Sequence, residues 1–264
     1  MNVQSLWIYP VKSLAGIAVE HFELDNFGPS GDRRWMIIDE ESRFVTQRQN
    51  PELAKVGTKI VDEGVEVDIP GEGRFVLRAS GRALRVQVWR DWVQAFIGEA
   101  DANEALSRYC GSRFQFVYMP ESSFRPVDAA RVQDRRRVSF ADGFPLLIVN
   151  RASLDELNER LSSPVEMRRF RPNIVVDGVR PWAEDQWREM IIGEMRFSLV
   201  KPCSRCVMTT VDPDTGIKDD SVQPLRTLSG YRRTEDGVIF GMNAIHESFG
   251  VISIGDPVEI TITE

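Results

Sequence analysis

Short runs of β-branched and aromatic residues, separated by turn residues, constrain the fold of this chain more than any other feature of its sequence. Such runs, bounded by Gly, Pro, Asn or Asp, are typical of β-strands. They do not alternate with helical segments at the rhythm of a doubly wound fold. The sequence therefore predicts a mainly β chain with a few helices, of α+β class, whose strands form small barrels or sandwiches. The runs are VQSLWIYPV, RRWMIIDE, KIVDEGVEVDI, RFVLRA, ALRVQVW, FPLLIVN, RPNIVVDG, REMIIGEMRFSLV, RCVMTTV, GVIFGMNAI and PVEITIT.

Two segments carry helical signals. ADANEALSRYCG has Asp101 as its predicted N-cap and ends at Gly111, a usual stop signal. In ASLDELNERL, Ser153 and Glu156 have the spacing of a capping box. Between these helices, residues 119–137 are polar and contain proline. We interpret this segment as a link between two β-rich halves, 1–118 and 119–264, or as a mobile loop over a site.

Charge and hydropathy exclude several classes of protein. The net charge of the 264 residues is −7, which argues against a nucleic-acid partner. No apolar run approaches the roughly 20 residues that span a bilayer, so no membrane partner is expected. The first residues, MNVQSLWIYPVKS, lack the layout of a signal peptide. A cytoplasmic location is the resulting prediction.

The three cysteines include a closely spaced pair, Cys203 and Cys206, in KPCSRC. A zinc site would need both of them together with His21 and His246, which lie in distant segments. A redox dithiol needs its C-x-x-C at the start of a helix. Here the flanks MRFSLVKP and VMTTVDPDTG predict strand, loop and strand instead. A third interpretation, in which one thiolate is presented to a ligand, stays open beside these two.

Polar residues at strand ends are further candidates for a site. Lys12 and Ser13 follow the first strand, where an ammonium, a hydroxyl and backbone N–H groups form a plausible phosphate-binding turn. Arg33 and Arg34 precede another strand. Neighbouring residues on a strand face opposite ways, so one arginine points to a site and the other into solvent.

Two further loops add a carboxylate and a guanidinium. Asp142 lies in FADGFP, before a buried strand, and either binds a ligand amide or stabilises a turn. Arg171 lies in FRPN, where the following proline favours an extended backbone at the entrance to a strand. DPDTG, residues 212–216, predicts a tight turn. Loops on a rigid β scaffold are where binding sites usually lie.

Together these motifs resemble the MOSC family, named for the C-terminal domain of molybdenum-cofactor sulfurases. YPVKSLAG, DRRW and TQRQNPELA look like its smaller N-terminal β-barrel domain. FADGFPLLIVNRASLDELNERL, FRPNIVV, AEDQW, CSRCVMTTVDPDTG and ISIGDPVE look like the β-barrel MOSC domain. The resemblance covers nearly the whole chain. It is strongest to the branch of the mitochondrial amidoxime-reducing component and the bacterial YcbX-type proteins.

The resemblance implies the molybdenum cofactor (molybdopterin) as ligand. It assigns Cys206 as the molybdenum ligand and the catalytic thiolate, with Arg205 beside it favouring the deprotonated form. Cys203 need not be a ligand. Of the adjacent arginines, Arg33 and not Arg34 matches the family position. The implied cofactor-binding residues are Lys12, Ser13, Arg33, Asp142, Arg171, Asn173, Ser204 and Arg205.

For function, the resemblance implies an oxidoreductase that reduces small N-oxygenated (N-hydroxylated) substrates at molybdenum. A plant-type iron–sulfur cluster needs four cysteines, and this sequence has three. A separate electron donor of ferredoxin or flavoprotein type is therefore expected. The alternative is a carrier of molybdenum cofactor or sulfur that uses Cys206. A relation to pyridoxal phosphate has less support, because no lysine lies in a Schiff-base setting.

Overall fold

The computed structural model describes residues 1–128, 130–132 and 135–262. Strands dominate its regular structure, and the mainly β, α+β prediction is confirmed. The strands are β1 (Val3–Ile8), β2 (Ile17–Val19), β3 (His21–Asp25), β4 (Gly28–Pro29), β5 (Trp35–Ile38), β6 (Gly57–Val61), β7 (Gly64–Ile69), β8 (Gly73–Leu77), β9 (Ala79–Val88), β10 (Asp91–Gly98), β11 (Gln115–Tyr118), β12 (Leu146–Asn150), β13 (Ile174–Val176), β14 (Trp187–Ile192), β15 (Met195–Ser204), β16 (Arg233–Thr234), β17 (Gly237–His246), β18 (Val251–Ser253) and β19 (Val258–Ile262).

Helices are few and short. The α-helices are α1 (Ala100–Cys110), α2 (Arg151–Glu159) and α3 (Leu225–Ser229), and the 3₁₀ helices are Pro51–Lys55, Met167–Phe170, Ala183–Gln186 and Val207–Thr210. None of the helices in the described ranges combines the length and the apolar character needed to cross a bilayer.

The largest sheet contains nine strands and joins the two ends of the chain. Its order is β19-β14-β15-β17-β12-β13-β1-β2, and β16 pairs with β17. Leu6 of β1 pairs with Ile174 of β13, which is also the partner of Ile148 in β12. This pairing brings the turn after β1 next to the loop that precedes β13.

The remaining strands form three smaller sheets, β5-β11-β10-β9, β18-β3-β4 and β6-β7-β8. Within the described residues, none of the four sheets closes on itself, so the predicted barrels are present as open sheets. The nine-stranded sheet ends at β2 and β19, which do not pair with each other. The boundary predicted near residue 118 stays a prediction.

Burial along the strands follows from which faces are covered. In β7, Val65, Val67 and Ile69 are buried and alternate with more exposed residues, because successive side chains on a strand face opposite ways. In contrast, all five residues of β12 are buried. Leu146 packs in the core cluster on one face of β12 and Leu147 in the cluster on the other. β12 is therefore a rigid support for the loop before it.

Both predicted helices form, but their caps differ from the prediction. The N-cap of α1 is Glu99, and Asp101 lies in its first turn. Gly111 ends α1 in the left-handed conformation with φ 63°, as the sequence predicted.

The predicted capping box of α2 is wrong. Asn150, the last residue of β12, is the N-cap, and its side chain accepts a hydrogen bond from the N–H of Ala152. Ser153 therefore lies inside the helix, where its hydroxyl donates to Oε2 of the buried Glu184 at 2.8 Å. The contact of Ser153 with Glu184 has replaced the local capping contact predicted between Ser153 and Glu156.

A second correction concerns the segment after the cysteine pair. VMTT, predicted as part of a strand, forms the 3₁₀ helix Val207–Thr210. Its threonine hydroxyls explain this, because Thr209 Oγ1 donates to the Cys206 carbonyl at 3.0 Å and Thr210 Oγ1 to the Val207 carbonyl at 2.7 Å. Such bonds, made three residues back along the chain, compete with strand pairing.

The predicted link at 119–137 is partly outside the described residues, which omit 129, 133 and 134. Its first part is anchored by Arg125, which is buried and donates to the carbonyls of Ser139, Ala141 and Asp142. This arginine therefore supports the loop that carries Asp142.

Candidate functional site

One cavity of about 340 Å³ gathers all nine residues that the sequence predicts as a site. They come from the turn after β1, the segment before β5, the loops before β12 and β13, and the end of β15. The cavity is lined by six cationic side chains and one carboxylate among the described residues. Clefts with a strong excess of one charge attract ligands of the opposite charge. The predicted residues that line it are Lys12, Ser13, Arg33, Asp142, Arg171, Asn173, Ser204, Arg205 and Cys206.

Cys206 lies half-buried in this cavity beside a guanidinium that sequence reasoning missed. Arg48 Nε donates to the Cys206 sulfur at 3.3 Å. Arg205, expected at that sulfur, instead donates to the Cys203 sulfur at 2.9 Å and to the Phe170 carbonyl at 2.7 Å. The backbone of Cys206 is extended, with φ −133° and ψ −178°, and neighbouring side chains on extended backbone point apart.

Arg48 also forms the rim of the cavity with Trp89 and Asp142. Its guanidinium carbon lies 4.9 Å from the centroid of the Trp89 ring, and its Nη2 lies 4.0 Å from Asp142 Oδ2. Trp89 Nε1 in turn donates to Asp142 Oδ1 at 3.3 Å. Since Arg48 and Cys206 are 158 residues apart, no local signal connects them. The available signal is the motif TQRQNPELA, which contains Arg48 and resembles the N-terminal domain of the family.

Lys12 and Asp142 form an ion pair across the cavity. Burial lowers the pKa of Lys12 to about 8, although Asp142 opposes this shift. The Asp142 side chain is 64 % exposed toward the open cavity, yet nearby protein atoms still oppose its ionisation. The charge and hydrogen bond of Lys12 outweigh this effect and hold the pKa of Asp142 below its usual range. Ser13 is buried beside Lys12 with a left-handed backbone, φ 70°, and its carbonyl accepts from Gln47 Nε2 at 2.7 Å.

Arg33 is held at the base of the cavity by a buried carboxylate. Its Nη1 donates to Asp32 Oδ2 at 2.5 Å and to Asn173 Oδ1 at 3.2 Å, and its Nη2 donates to the Arg171 carbonyl at 3.1 Å. Asp32 also accepts from the Tyr9 N–H at 2.8 Å. Asp32 is thus a second residue that sequence reasoning missed, although it lies in the quoted motif DRRW.

Arg34 points away from the cavity, as predicted, but the expectation that it is solvated was wrong. It is buried, with its guanidinium carbon 4.0 Å from the Phe27 ring centroid. Its Nη2 donates to the Met119 carbonyl at 2.6 Å. Arg34 therefore holds the chain after β11 in place and is not a ligand-binding residue of this cavity.

Arg171 has a left-handed backbone, φ 53° and ψ 48°, where the sequence predicted an extended one. It ends the 3₁₀ helix Met167–Phe170, so a helix end has overridden the effect of the following proline. Nη1 donates to the Leu14 carbonyl at 2.7 Å, whereas Nη2 is buried and has no hydrogen-bond partner among the described residues. Burial, together with the charge of Arg33, lowers the pKa of Arg171 to about 10.

Two of the predicted residues use their side chains within the protein. Asn173 donates to the Trp7 carbonyl at 3.2 Å and accepts from the Leu147 N–H at 3.2 Å. Ser204 Oγ donates to the Asp236 carbonyl at 2.6 Å. These bonds fix the cavity wall and leave Asn173 and Ser204 less free to bind a ligand than the arginines.

The zinc interpretation gains no geometric support. Among the residues that the structure describes, no three His, Cys, Asp or Glu side chains are grouped so that they could hold a metal ion. Cys110, the third cysteine, packs at the core cluster around α1, and burial raises the pKa of its thiol to about 12.

Comparison with known proteins identifies the family of the chain. The MOSC N-terminal beta barrel domain model matches residues 1–113, and the MOSC domain model matches residues 135–259. Mouse (Mus musculus) mitochondrial amidoxime-reducing component 1 is 34 % identical over 279 residues, which span 97 % of this chain and 81 % of that protein. The chain belongs to the MOSC family.

Two other relatives show the range of this similarity. Human (Homo sapiens) mitochondrial amidoxime reducing component 2 is 33 % identical to this MOSC protein over 97 % of the chain and 82 % of the relative. A molybdenum cofactor sulfurase of Oryza sativa subsp. japonica is 30 % identical over 92 % of the chain. The matched region is 32 % of that sulfurase.

Proposed function

We propose that this MOSC protein binds the molybdenum cofactor in its cationic cavity and reduces N-hydroxylated substrates with electrons from a separate donor protein. One observation carries the proposal: the Cys206 thiol opens onto a cavity in which Arg171 keeps a buried, unpaired Nη2. A soft thiolate suits a soft, redox-active metal. A guanidinium suits the phosphate of a pterin cofactor, because its planar fork donates two hydrogen bonds at once.

The residues present fit such a ligand. An unpaired buried donor costs free energy, and an anion beside Arg171 would satisfy it. Lys12, Ser13, Arg33 and Arg171 would hold the anionic end of the cofactor, and Cys206 would hold the metal. Asp142, Asn173, Ser204 and Arg205 complete the wall, with the amide of Asn173 and the hydroxyl of Ser204 acting through the backbone that they fix.

When bound, the cofactor would supply a redox-active metal that exchanges electrons with the substrate. The protein's part is to place groups around it. Arg48 Nε donates to the Cys206 sulfur at 3.3 Å and would compensate the negative charge of a metal-bound thiolate. Trp89, beside Arg48 and 41 % exposed, presents an aromatic surface to a substrate that enters the cavity.

The substrate part of the proposal comes from the names of the relatives, and the donor part from the three cysteines, which are too few for a plant-type iron–sulfur cluster. The amidoxime-reducing components are named for the reduction of amidoximes, which are N-hydroxylated compounds. The electron donor would be a ferredoxin or flavoprotein. A cytoplasmic location is part of the same proposal, whereas these relatives are named as mitochondrial.

Metal analysis beside turnover tests the proposal. Protein made in a cofactor-competent host should contain about one molybdenum per chain and reduce an aromatic amidoxime with a chemical reductant. Cys206→Ala should lose both while its thermal unfolding midpoint stays within about 2 °C, since the thiol is at a cavity and not in the core. Cys110→Ala is the matched control and should keep both. Full molybdenum and turnover in Cys206→Ala would rule out this thiol as the ligand.

One finding favours a second function. The similarity to a molybdenum cofactor sulfurase allows a carrier role in which Cys206 holds cofactor or a persulfide for transfer. Bound molybdenum does not separate the two functions, whereas turnover does. A persulfide on Cys206 by mass spectrometry, with no amidoxime reduction, would support the carrier and exclude the reductase.

A further inference from the structure

Tyr9 is a buried aromatic residue whose ring contacts two of the arginines that line the cavity. The guanidinium carbons of Arg33 and Arg171 lie 4.3 and 4.2 Å from the centroid of its ring. The residue is 1 % exposed, and its hydroxyl has no hydrogen-bond partner among the described residues. The contacts that the Tyr9 side chain makes with the two arginines are therefore contacts of its ring, whereas its backbone bonds Asp32 and the Arg33 N–H.

The two arginines repel each other, and their contacts with the Tyr9 ring offset part of this repulsion. Arg33 has a carboxylate partner, Asp32, at 2.5 Å. Arg171 has no ion-pair partner in the described part of the chain, and its Nη1 bonds a neutral carbonyl. Arg33 and Arg171 carry like charges, and in a buried setting such charges repel strongly. The electron-rich face of a tyrosine ring attracts both cations.

From this geometry we infer that Tyr9 is a positioning residue, whose ring holds Arg33 and Arg171 as a preorganised pair for an anionic group of the ligand. The inference deepens the proposed function and rests on it. The ring carries the effect and the hydroxyl does not, because the hydroxyl lacks a partner. Without the ring, the two guanidiniums would separate and the pair would bind an anion less well.

Gly16 gives an independent way to move the ring. A Cβ at Gly16 would lie 2.3 Å from Cε1 of Tyr9, which is closer than two non-bonded carbon atoms can approach. The backbone of Gly16 is not in the left-handed region, so alanine is conformationally allowed there and acts through this clash alone. Gly57 is the matched control, since its nearest neighbour would be 3.4 Å from a new Cβ.

The test measures binding of inorganic phosphate to the full chain, purified without cofactor, by isothermal titration calorimetry. Molybdenum per chain after expression in a cofactor-competent host is the second readout. Tyr9→Phe should bind phosphate within about twofold of the parent, because it keeps the ring. Tyr9→Leu and Gly16→Ala should bind about tenfold more weakly and hold less molybdenum. Gly57→Ala should match the parent.

Parental binding in Tyr9→Leu would overturn the inference, and so would equal losses in Tyr9→Phe and Tyr9→Leu. Thermal unfolding identifies a variant that fails to fold. If Tyr9→Leu does so, the contrast between Gly16→Ala and Gly57→Ala decides, and equal binding by these two would overturn the inference. A parent that binds neither phosphate nor molybdenum would instead overturn the proposed function itself.

Discussion

The cavity wall and the nine-stranded sheet differ in their backbones. Of the seven non-glycine residues with positive φ in the described chain, Ser13, Arg33, Trp89 and Arg171 line the cavity. No non-glycine residue with positive φ lies in the strands of the nine-stranded sheet. Residues in such conformations cost of order 1–3 kcal/mol each and persist where the surroundings hold them. The packed sheet stabilises the fold, and this stability offsets the strained backbone conformations that place the side chains of the cavity wall.

Charge shows the same contrast. The core on one face of the nine-stranded sheet consists of buried apolar side chains, whereas the cavity concentrates arginines and a lysine. We therefore expect substitutions in the sheet core to change the free energy of unfolding and to leave phosphate binding unchanged. Substitutions of cavity residues should change phosphate binding and leave the free energy of unfolding nearly unchanged.

Phe197→Ala is expected to have the largest effect on stability. Phe197 lies in β15, is 1 % exposed and packs in the core of the nine-stranded sheet. Removal of a buried phenyl ring should lower the free energy of unfolding by about 3–5 kcal/mol, because apolar burial is lost and a cavity remains. Urea unfolding measures this loss, and phosphate binding by the folded fraction should stay within twofold, or about 0.4 kcal/mol, of the parent.

Glu189→Gln, on an exposed position of β14 in the same sheet, is the control and should change stability by less than about 0.5 kcal/mol. The contrast between sheet and cavity would be wrong if Phe197→Ala reduced the free energy of phosphate binding more than the free energy of unfolding. In that case the two regions would be energetically coupled.

The second prediction concerns a buried carboxyl outside the cavity. Burial raises the pKa of Glu184 from 4.5 to about 7, and the hydrogen bond from Ser153 only partly offsets this. Between these values the folded protein holds a proton that the unfolded chain has released. Stability is therefore highest at and below pH 4.5 for this group and falls as pH rises through 7, by about 3 kcal/mol in all.

Glu184→Gln should remove that pH dependence, because an amide does not titrate and still accepts from Ser153. Urea unfolding of parent and variant at pH 5 and pH 8 measures the difference. The parent should lose more stability than the variant between the two values. If both lose the same amount, the pH dependence arises from groups other than Glu184.

Local patterns predicted most of the strands, and the resemblance to the MOSC family implied nine residues that the structure brings to one cavity. The alternation in β7 and the stop at Gly111 follow from periodicity and backbone preference, and the structure has both. The caps of α2, the burial of Arg34 and the partner of Cys206 did not follow. Each depends on a contact between distant segments, such as Ser153 with Glu184, that no local pattern encodes.

The smallest change in free energy is expected for Arg48→Lys. This substitution tests whether a contact at the cavity rim affects ligand retention without affecting stability. Lysine keeps the positive charge but loses the Nε donor to Cys206 and the planar stack on Trp89. A hydrogen bond to a charged group contributes about 1.5–3 kcal/mol, so loaded protein should release molybdenum about tenfold faster or more. Stability should change little, because the Arg48 side chain lies at the cavity rim and is 23 % exposed. Dialysis against buffer followed by metal analysis measures the release.

Arg74→Lys is the matched control, since Arg74 is 70 % exposed and pairs with Asp68 away from the cavity. It should release molybdenum at the parental rate. Equal rates for all three proteins would mean that the Arg48 contact with the Cys206 sulfur contributes nothing to retention. A faster rate in Arg48→Lys alone would show that the N-terminal part of the chain holds the thiolate. The position of Arg205 next to Cys206 in the sequence would then be irrelevant to that sulfur.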